Sequence, residues 1–302
     1  MQRRYVILDV FTRQKFAGNP LAVVLDGAGL NDVLMQKIAG EFNLSETVFV
    51  TSVDQQNKSA KIRIFTPLHE LPFAGHPTVG TATLLAREYF AGEADINITL
   101  EEEIGPVQCR VNIGEDTSYS QFTMPQLPEC VGECGPIEII ADALGLSVSD
   151  IGFDGHKPQQ WSGGVPYSLI PVSSIEAVRK IEPNGAIWAK AFGEGHHNNA
   201  FVYCRECDDA SHQYHARMFW PGAGVREDPA TGSAVAAFAG IVQQNDSLAD
   251  GSHRIVIEQG YEMGRPSLIA LSLEIREGSI AHAMIGGNVV EFARGIIRVR
   301  TH

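Results

Sequence analysis

Arg63-Ile64-Phe65-Thr66-Pro67, followed after eight residues by His76-Pro77-Thr78-Val79-Gly80-Thr81-Ala82, occurs a second time in altered form. The second copy is Arg217-Met218-Phe219-Trp220-Pro221, six residues, then Asp228-Pro229-Ala230-Thr231-Gly232-Ser233-Ala234. Upstream, Gly18-Asn19-Pro20 leads the strand-like L-A-V-V-L, and Gly164-Val165-Pro166 leads Y-S-L-I-P-V. Each is followed by an amphipathic segment, Asn31 to Phe42 in one half and Ser174 to Ile181 in the other. Three matches in one order, at offsets of about 146 to 154 residues, point to a duplicated unit.

The expected division is 1–118, joined by a C-terminal strand near 290–302, and 119–289. Segments rich in β-branched and aromatic residues, such as Tyr5–Val10, Thr47–Val50, Ala200–Cys204 and Ile255–Gln259, predict mixed or antiparallel sheets. The segments Pro77–Ala86 and Ala230–Val242 have no charged face, and a helix apolar all round is buried all round. The fold class is therefore α/β, two pseudo-symmetric domains each wrapping a sheet around one central helix. Pro77 and Pro229 are expected at first-turn positions, with His76 and Asp228 before them as caps. On that reading Pro77 superposes on Pro229 and Gly80 on Gly232.

The chain has 302 residues, 44% of them hydrophobic, enough for a sizeable core. Its net charge of −13 argues against non-specific binding to nucleic acid, which requires a basic surface. Arg3 and Arg4 precede an apolar stretch broken at Asp9, which is not a secretory signal, and no run is long enough to span a bilayer. A cytoplasmic protein is expected. The odd number of cysteines, five, suits reduced thiols.

A buried helix start leaves backbone N–H groups to satisfy, and the helix dipole adds partial positive charge there. Plain capping by Asp228 and Ser233 would answer this; so would a bound carboxylate or phosphate near Gly75-His76 and Gly232-Ser233. Duplication of the feature favours a ligand cleft between the halves. Glu46, in N-L-S-E-T-V-F-V, stands at the mouth of an apolar strand, either as a solvated strand-end charge or as a carboxyl whose affinity for a proton is raised by desolvation. Its counterpart in the second half is Asn198 or Asn199, so the acid is not duplicated. Cys204-x-x-Cys207 with His212 and His215, and Cys130 with Cys134, lack zinc-finger spacing, and His196-His197 reads as a loop pair; no metal is expected. No G-x-x-x-x-G-K-[ST] and no strand-linked G-x-G-x-x-G is present.

Together F-A-G-N-P-L-A-V-V (Phe16 to Val24), N-L-S-E-T-V-F-V (Asn43 to Val50), F-T-P-L-H-E-L-P-F-A-G-H-P-T-V-G-T-A (Phe65 to Ala82) and G-V-R-E-D-P-A-T-G-S-A (Gly224 to Ala234) carry a resemblance. With M-G-R-P-S (Met263 to Ser267) and G-G-N-V-V (Gly286 to Val290), the chain resembles the PhzF-like phenazine biosynthesis family from end to end. The resemblance implies the diaminopimelate-epimerase-like fold and a cofactor-independent isomerase. It assigns Glu46, His76 and Asp228 to catalysis, Glu46 as an acid/base shuttle between substrate carbons, and Asn19, Gly75, Gly232 and Ser233 to substrate binding. Related epimerases use two thiols at the helix starts, where this chain is expected to have Ala74 and Pro229. The expected partner is a small anionic, carboxylate-bearing substrate, with no nucleic acid, membrane, metal or cofactor, in a homodimer. Two alternatives are an epimerase or racemase of an amino-acid-like substrate and a non-catalytic small-anion-binding protein of the same fold.

Overall fold

The computed structural model describes residues 1–90, 92–194, 198–221 and 225–299, and it divides into two compact units, 1–123 with 286–302, and 124–285. His196 and His197 lie outside the described residues, as does Gly224.

The first unit runs β1 (Gln2–Val10), β2 (Asn19–Val24), α1 (Asp32–Phe42), β3 (Glu46–Asp54), β4 (Ser59–Phe65), β5 (Glu70–Leu71), α2 (Gly75–Tyr89), β6 (Asp95–Glu102), β7 (Gly105–Asn112) and β8 (Ser118–Thr123). Helix α1 starts where the Asn31 side chain accepts from Leu34 N, and it ends at Asn43, a residue that tolerates the left-handed backbone found there. It buries Met35, Ile38 and Ala39. In α2 every residue from Gly75 to Ala86 is buried, against β1, β2, β3, β6, β7 and β8. Gly80 lets the helix approach the sheet: a Cβ there would sit 2.7 Å from Leu21 Cδ2 and 2.8 Å from Val10 Cγ2.

The second unit runs β9 (Glu129–Glu133), α3 (Ile137–Leu144), β10 (Gln159–Ser162), β11 (Pro166–Pro171), α4 (Ile175–Arg179), α5 (Gly185–Phe192), β12 (Ala200–Cys204), β13 (Tyr214–Trp220), β14 (Val225–Asp228), α6 (Gly232–Asn245), β15 (Gly251–Gln259) and β16 (Ser267–Arg276). The last strand, β17 (Ser279–Arg298), belongs to the first unit from Gly286 onward and pairs antiparallel with β1, Gln2 opposite Arg298 and Val10 opposite Val289. A core of Ile140, Leu144, Ile170, Val178, Trp188 and Phe219 gathers α3, α4 and α5 onto β11, β12 and β13. Helix α6 is buried at Gly232 and from Ala234 to Val242.

The two units share one pairing plan. Strands β2 and β3 are parallel, as are β11 and β12. Strand β4 runs antiparallel to β3 and β5 and parallel to β6, and β13 runs antiparallel to β12 and β14 and parallel to β15. The repeated arginine has a structural role in both: Arg63 makes a two-point ion pair with Glu70, and Arg217 with Glu227.

The expected register of the repeat requires correction. Helix α2 begins at Gly75 with Ala74 as N-cap, and α6 at Gly232 with Thr231 as N-cap, neither capped by its own side chain. Gly75, not Gly80, therefore corresponds to Gly232, and His76 to Ser233. Pro77 is inside the first turn of α2, while Pro229 precedes the N-cap of α6, so the prolines are not equivalent. A proline costs no hydrogen bond anywhere among the first helical positions, so it does not fix the start to one residue. His76 and Asp228 are not N-caps: the first is helical, and the second ends β14 opposite Met218.

Candidate functional site

In the first unit, three of the expected residues converge. Glu46 is the first residue of β3, paired in parallel register with Leu21 two positions after Asn19. His76 enters from the first turn of α2, 4% exposed, and Asn19 opens β2 with no exposure. Asn19 Nδ2 lies 3.2 Å from His76 Nδ1, and His76 Nε2 lies 3.3 Å from Glu46 Oε2. An amide nitrogen only donates, so Nδ1 accepts and the imidazole proton resides on Nε2, which lies near Glu46 without a hydrogen bond between them. Burial lowers the His76 pKa to about 3, so the ring is neutral at physiological pH. Gly18 sets the entry to Asn19: its φ is +66°, and a Cβ there would lie 2.3 Å from Val10 O. Gly75 is the buried first residue of α2, beside His76.

The second unit places Asp228, Gly232 and Ser233 at the start of α6. Thr231 Oγ1 donates to Asp228 Oδ2 over 2.5 Å. Ser233 Oγ and the Tyr167 hydroxyl are 2.6 Å apart. The fully buried Gln259 ties the loop down: Thr231 N donates to its Oε1, and its Nε2 donates to Asp228 O and to Thr231 Oγ1. Tyr167, Thr231 and Gln259 were not singled out in the sequence. Thr231 lay in the quoted motif; Tyr167 on β11 and Gln259 on β15 reach the start of α6 only through tertiary packing and carry no local signal.

Parallel register also gives Glu46 its counterpart. Leu21 opposite Glu46 corresponds to Tyr167, beside Ser168 opposite Ala200, which makes Asn199 the equivalent of Glu46. Asn199 is fully buried, accepts from Ser168 N and donates to Pro166 O, joining two strands. The thiol positions of the epimerase comparison are Ala74 and Thr231, rather than Ala74 and Pro229, by N-cap equivalence.

His212 and His215 turn to carboxylates. His212 Nδ1 lies 2.7 Å from Glu258 Oε1, and His215 lies between Glu258 and Glu262 at 2.8 and 2.9 Å. Burial pulls the His215 pKa down, but hydrogen bonds to both glutamates outweigh it and raise it to about 9. Asp208, His215 and Glu258 have the spacing to hold a metal, and here His215 bonds to both glutamates. The cluster is an ion-pair network that also accepts Asp208 N and Asp209 N on Glu258. Cys204 is buried, which raises its thiol pKa to about 12.

Comparison with known proteins shows what the chain is similar to. The family model for phenazine biosynthesis-like protein (PhzC-PhzF) matches residues 8–295. An uncharacterized isomerase of Mesorhizobium japonicum is 47% identical, over 97% of this chain and 98% of its own. The trans-2,3-dihydro-3-hydroxyanthranilate isomerase of Pseudomonas chlororaphis is 33% identical, over 97% and 98%. Among solved structures, a PhzF-family phenazine biosynthesis protein of Bacillus anthracis superposes with a TM-score of 0.88 at 25% identity, covering 99% of this chain and 100% of that one. A hydroxyproline epimerase of Agrobacterium vitis shares the fold at a TM-score of 0.64 and 12% identity, covering 98% and 92%.

Proposed function

The chain belongs to the phenazine biosynthesis-like (PhzC-PhzF) family and is an isomerase, and from that premise we propose that Glu46 moves a proton between two carbons of a small carboxylate-bearing substrate. The observation that carries the reading is the neutral, buried His76, whose Nε2 lies 3.3 Å from Glu46 Oε2. A histidine with a pKa of about 3 does not take up a proton from a substrate near neutral pH, so it serves as a fixed donor. The carboxylate beside it is the group able to accept a proton at one carbon and return it at another.

Substrate holding is proposed for Asn19 and the backbone at Gly75 in the first unit, and for Gly232, Ser233 and Asp228 in the second. The helix starts offer first-turn N–H groups without a side-chain cap, which favour an anion. The same donors would stabilise negative charge developing on a conjugated acid. The relative from Pseudomonas chlororaphis is named for a hydroxyanthranilate, a cyclic carboxylate, and a substrate of that class is proposed here. Ala74 and Thr231 at the two N-caps weigh against two-thiol epimerisation, since neither side chain exchanges a proton near neutral pH. Trial turnover of trans-2,3-dihydro-3-hydroxyanthranilate and other small unsaturated acids by wild type and Glu46→Gln tests the proposal. Loss of turnover by about a hundredfold or more in the variant supports it, and equal turnover refutes it.

A further inference from the structure

Beneath the start of α2 lies a second carboxyl that the isomerisation above does not use. Glu102 is the last residue of β6, 8% exposed, with Oε2 buried and without a hydrogen-bond partner. Its Oε1 is 2.7 Å from Thr78 Oγ1, and Thr78 Oγ1 is also 2.7 Å from the carbonyl of Ala74, the N-cap of α2. A hydroxyl has one proton to give, and a carbonyl oxygen can only accept. With Glu102 ionised, Thr78 would face two acceptors and satisfy one. With a proton on Oε1, Glu102 donates to Thr78, Thr78 donates to Ala74 O, and every group in the relay is satisfied. The partnerless Oε2 agrees, because a buried neutral carbonyl oxygen costs far less than a buried carboxylate oxygen.

The other unit supplies an independent observation. Lys61 pairs with Glu101 as His215 pairs with Glu258, and Glu102 faces Gly105 across its hairpin as Gln259 faces Ser267. Glu102 and Gln259 therefore occupy the same place in the plan. Gln259, an amide that never ionises, donates to a threonine hydroxyl at the start of α6. One fold position, under the start of the central helix, carries a permanently neutral donor in one unit and a carboxyl in the other.

We propose that Glu102 is a positioning residue, kept as a neutral carboxylic acid that pins Ala74 through Thr78 and so holds His76 against Glu46, and that its ionisation loosens this arrangement at alkaline pH. The proposal rests on the role given to His76 and Glu46. Burial raises the Glu102 pKa to about 8, with the Thr78 hydrogen bond opposing, which places the transition just above neutrality. The titratable and charged groups around it are Cys109 on β7, Lys61 and Arg63 on β4, Glu70 on β5 and the neighbouring Glu101 and Glu103. Those last five line, with Glu102, a cavity of about 550 Å³. Arg63 is engaged by Glu70 and Asp32, and the Cys109 thiol is kept protonated by burial.

Carboxyl ¹³C and imidazole ¹⁵N NMR on the full chain, with Glu102→Gln to assign the resonance, tests this without any substrate. The expected result is a Glu102 carboxyl with a midpoint near pH 8 and His76 ring signals that move with it. Glu102→Gln should hold the His76 signals constant from pH 6 to pH 10, whereas Glu102→Ala should shift them already at pH 7. If Glu102→Ala does not fold, Thr78→Val serves: breaking the relay should move both the Glu102 midpoint and the His76 signals. A Glu102 midpoint near the ordinary value of about 4.3, or His76 signals unchanged by Thr78→Val, overturns the proposal. Failure of the Glu46 shuttle would show as normal turnover by Glu46→Gln and leave this titration unaltered, so the two failures are separable.

Discussion

His76 has its two ring nitrogens beside two different groups, Nδ1 3.2 Å from the Asn19 amide nitrogen and Nε2 3.3 Å from Glu46 Oε2. The Asn19 contact sets the tautomer and leaves the ring proton on Nε2, the nitrogen nearer Glu46. In the proposed mechanism the two groups are unequal: a buried ring that stays neutral, and a carboxyl that would carry the proton.

Asn19→Leu removes the donor that fixes the tautomer while keeping volume. The Nδ1 lone pair is then buried without a partner, at a cost of about 1–3 kcal/mol. Imidazole ¹⁵N spectra should show the Nε2–H form giving way to a mixture, and isomerisation should fall by about tenfold. An unchanged His76 spectrum would remove Asn19 from the site.

Acid stability should carry the signature of His76. Its folded pKa of about 3 is below the ordinary value of 6.5, so the unfolded chain binds the extra proton first. The sign follows: stability is lost as pH falls from about 6.5 toward 3, and is unaffected by this group above 6.5. Denaturant unfolding of His76→Asn against wild type at pH 4 and pH 7 checks it. The variant should lose less on acidification, and equal losses would contradict the assignment.

Much of the fold was legible because the deciding signals are local. The uncharged runs in α2 and α6, the amphipathic segments Asn31 to Phe42 and Ser174 to Ile181, and the Arg-x-Phe motif are all read from neighbours in sequence. The helix start was misplaced because proline is permitted at several first-turn positions, and the two prolines were read as equivalent. Aligning Gly75 with Gly232 would have set Glu102 opposite Gln259 and made the odd carboxyl visible. Helices α3 and α5 were passed over; I-E-I-I-A-D-A-L closing at Gly145 was a readable amphipathic segment. Within the site, Glu46 and His76 were legible as chemistry, but the Asn19 contact and the Tyr167–Ser233 pair arise from a strand packing against a central helix across long separations. Such contacts leave no periodicity to read.

Gly18→Ala should damage the site through the backbone. An added Cβ meets Val10 O at 2.3 Å with φ at +66°, so the β1–β2 turn must move and carry Asn19 with it. Destabilisation of at least about 1 kcal/mol is expected, seen as a lower midpoint in urea unfolding. An alanine variant of wild-type stability would show that the turn relaxes without strain.

Ser233→Ala deletes the partner of the Tyr167 hydroxyl and one proposed contact to the substrate carboxylate. One lost hydrogen bond of about 1 kcal/mol should raise KM roughly fivefold and leave kcat nearly unchanged. A fall in kcat at constant KM would instead place Ser233 in the chemical step.

The most direct test of Glu46 as the shuttle follows the label rather than the rate. A substrate deuterated at the donor carbon is turned over in H₂O by wild type and by Glu46→Gln, and deuterium at the acceptor carbon is read by mass spectrometry. Wild type should deliver part of the deuterium to the acceptor carbon, because one carboxyl carries it between them. Glu46→Gln should be slower by roughly a hundredfold to ten-thousandfold and deliver none. Normal turnover with normal deuterium transfer in Glu46→Gln would mean that another group carries the proton.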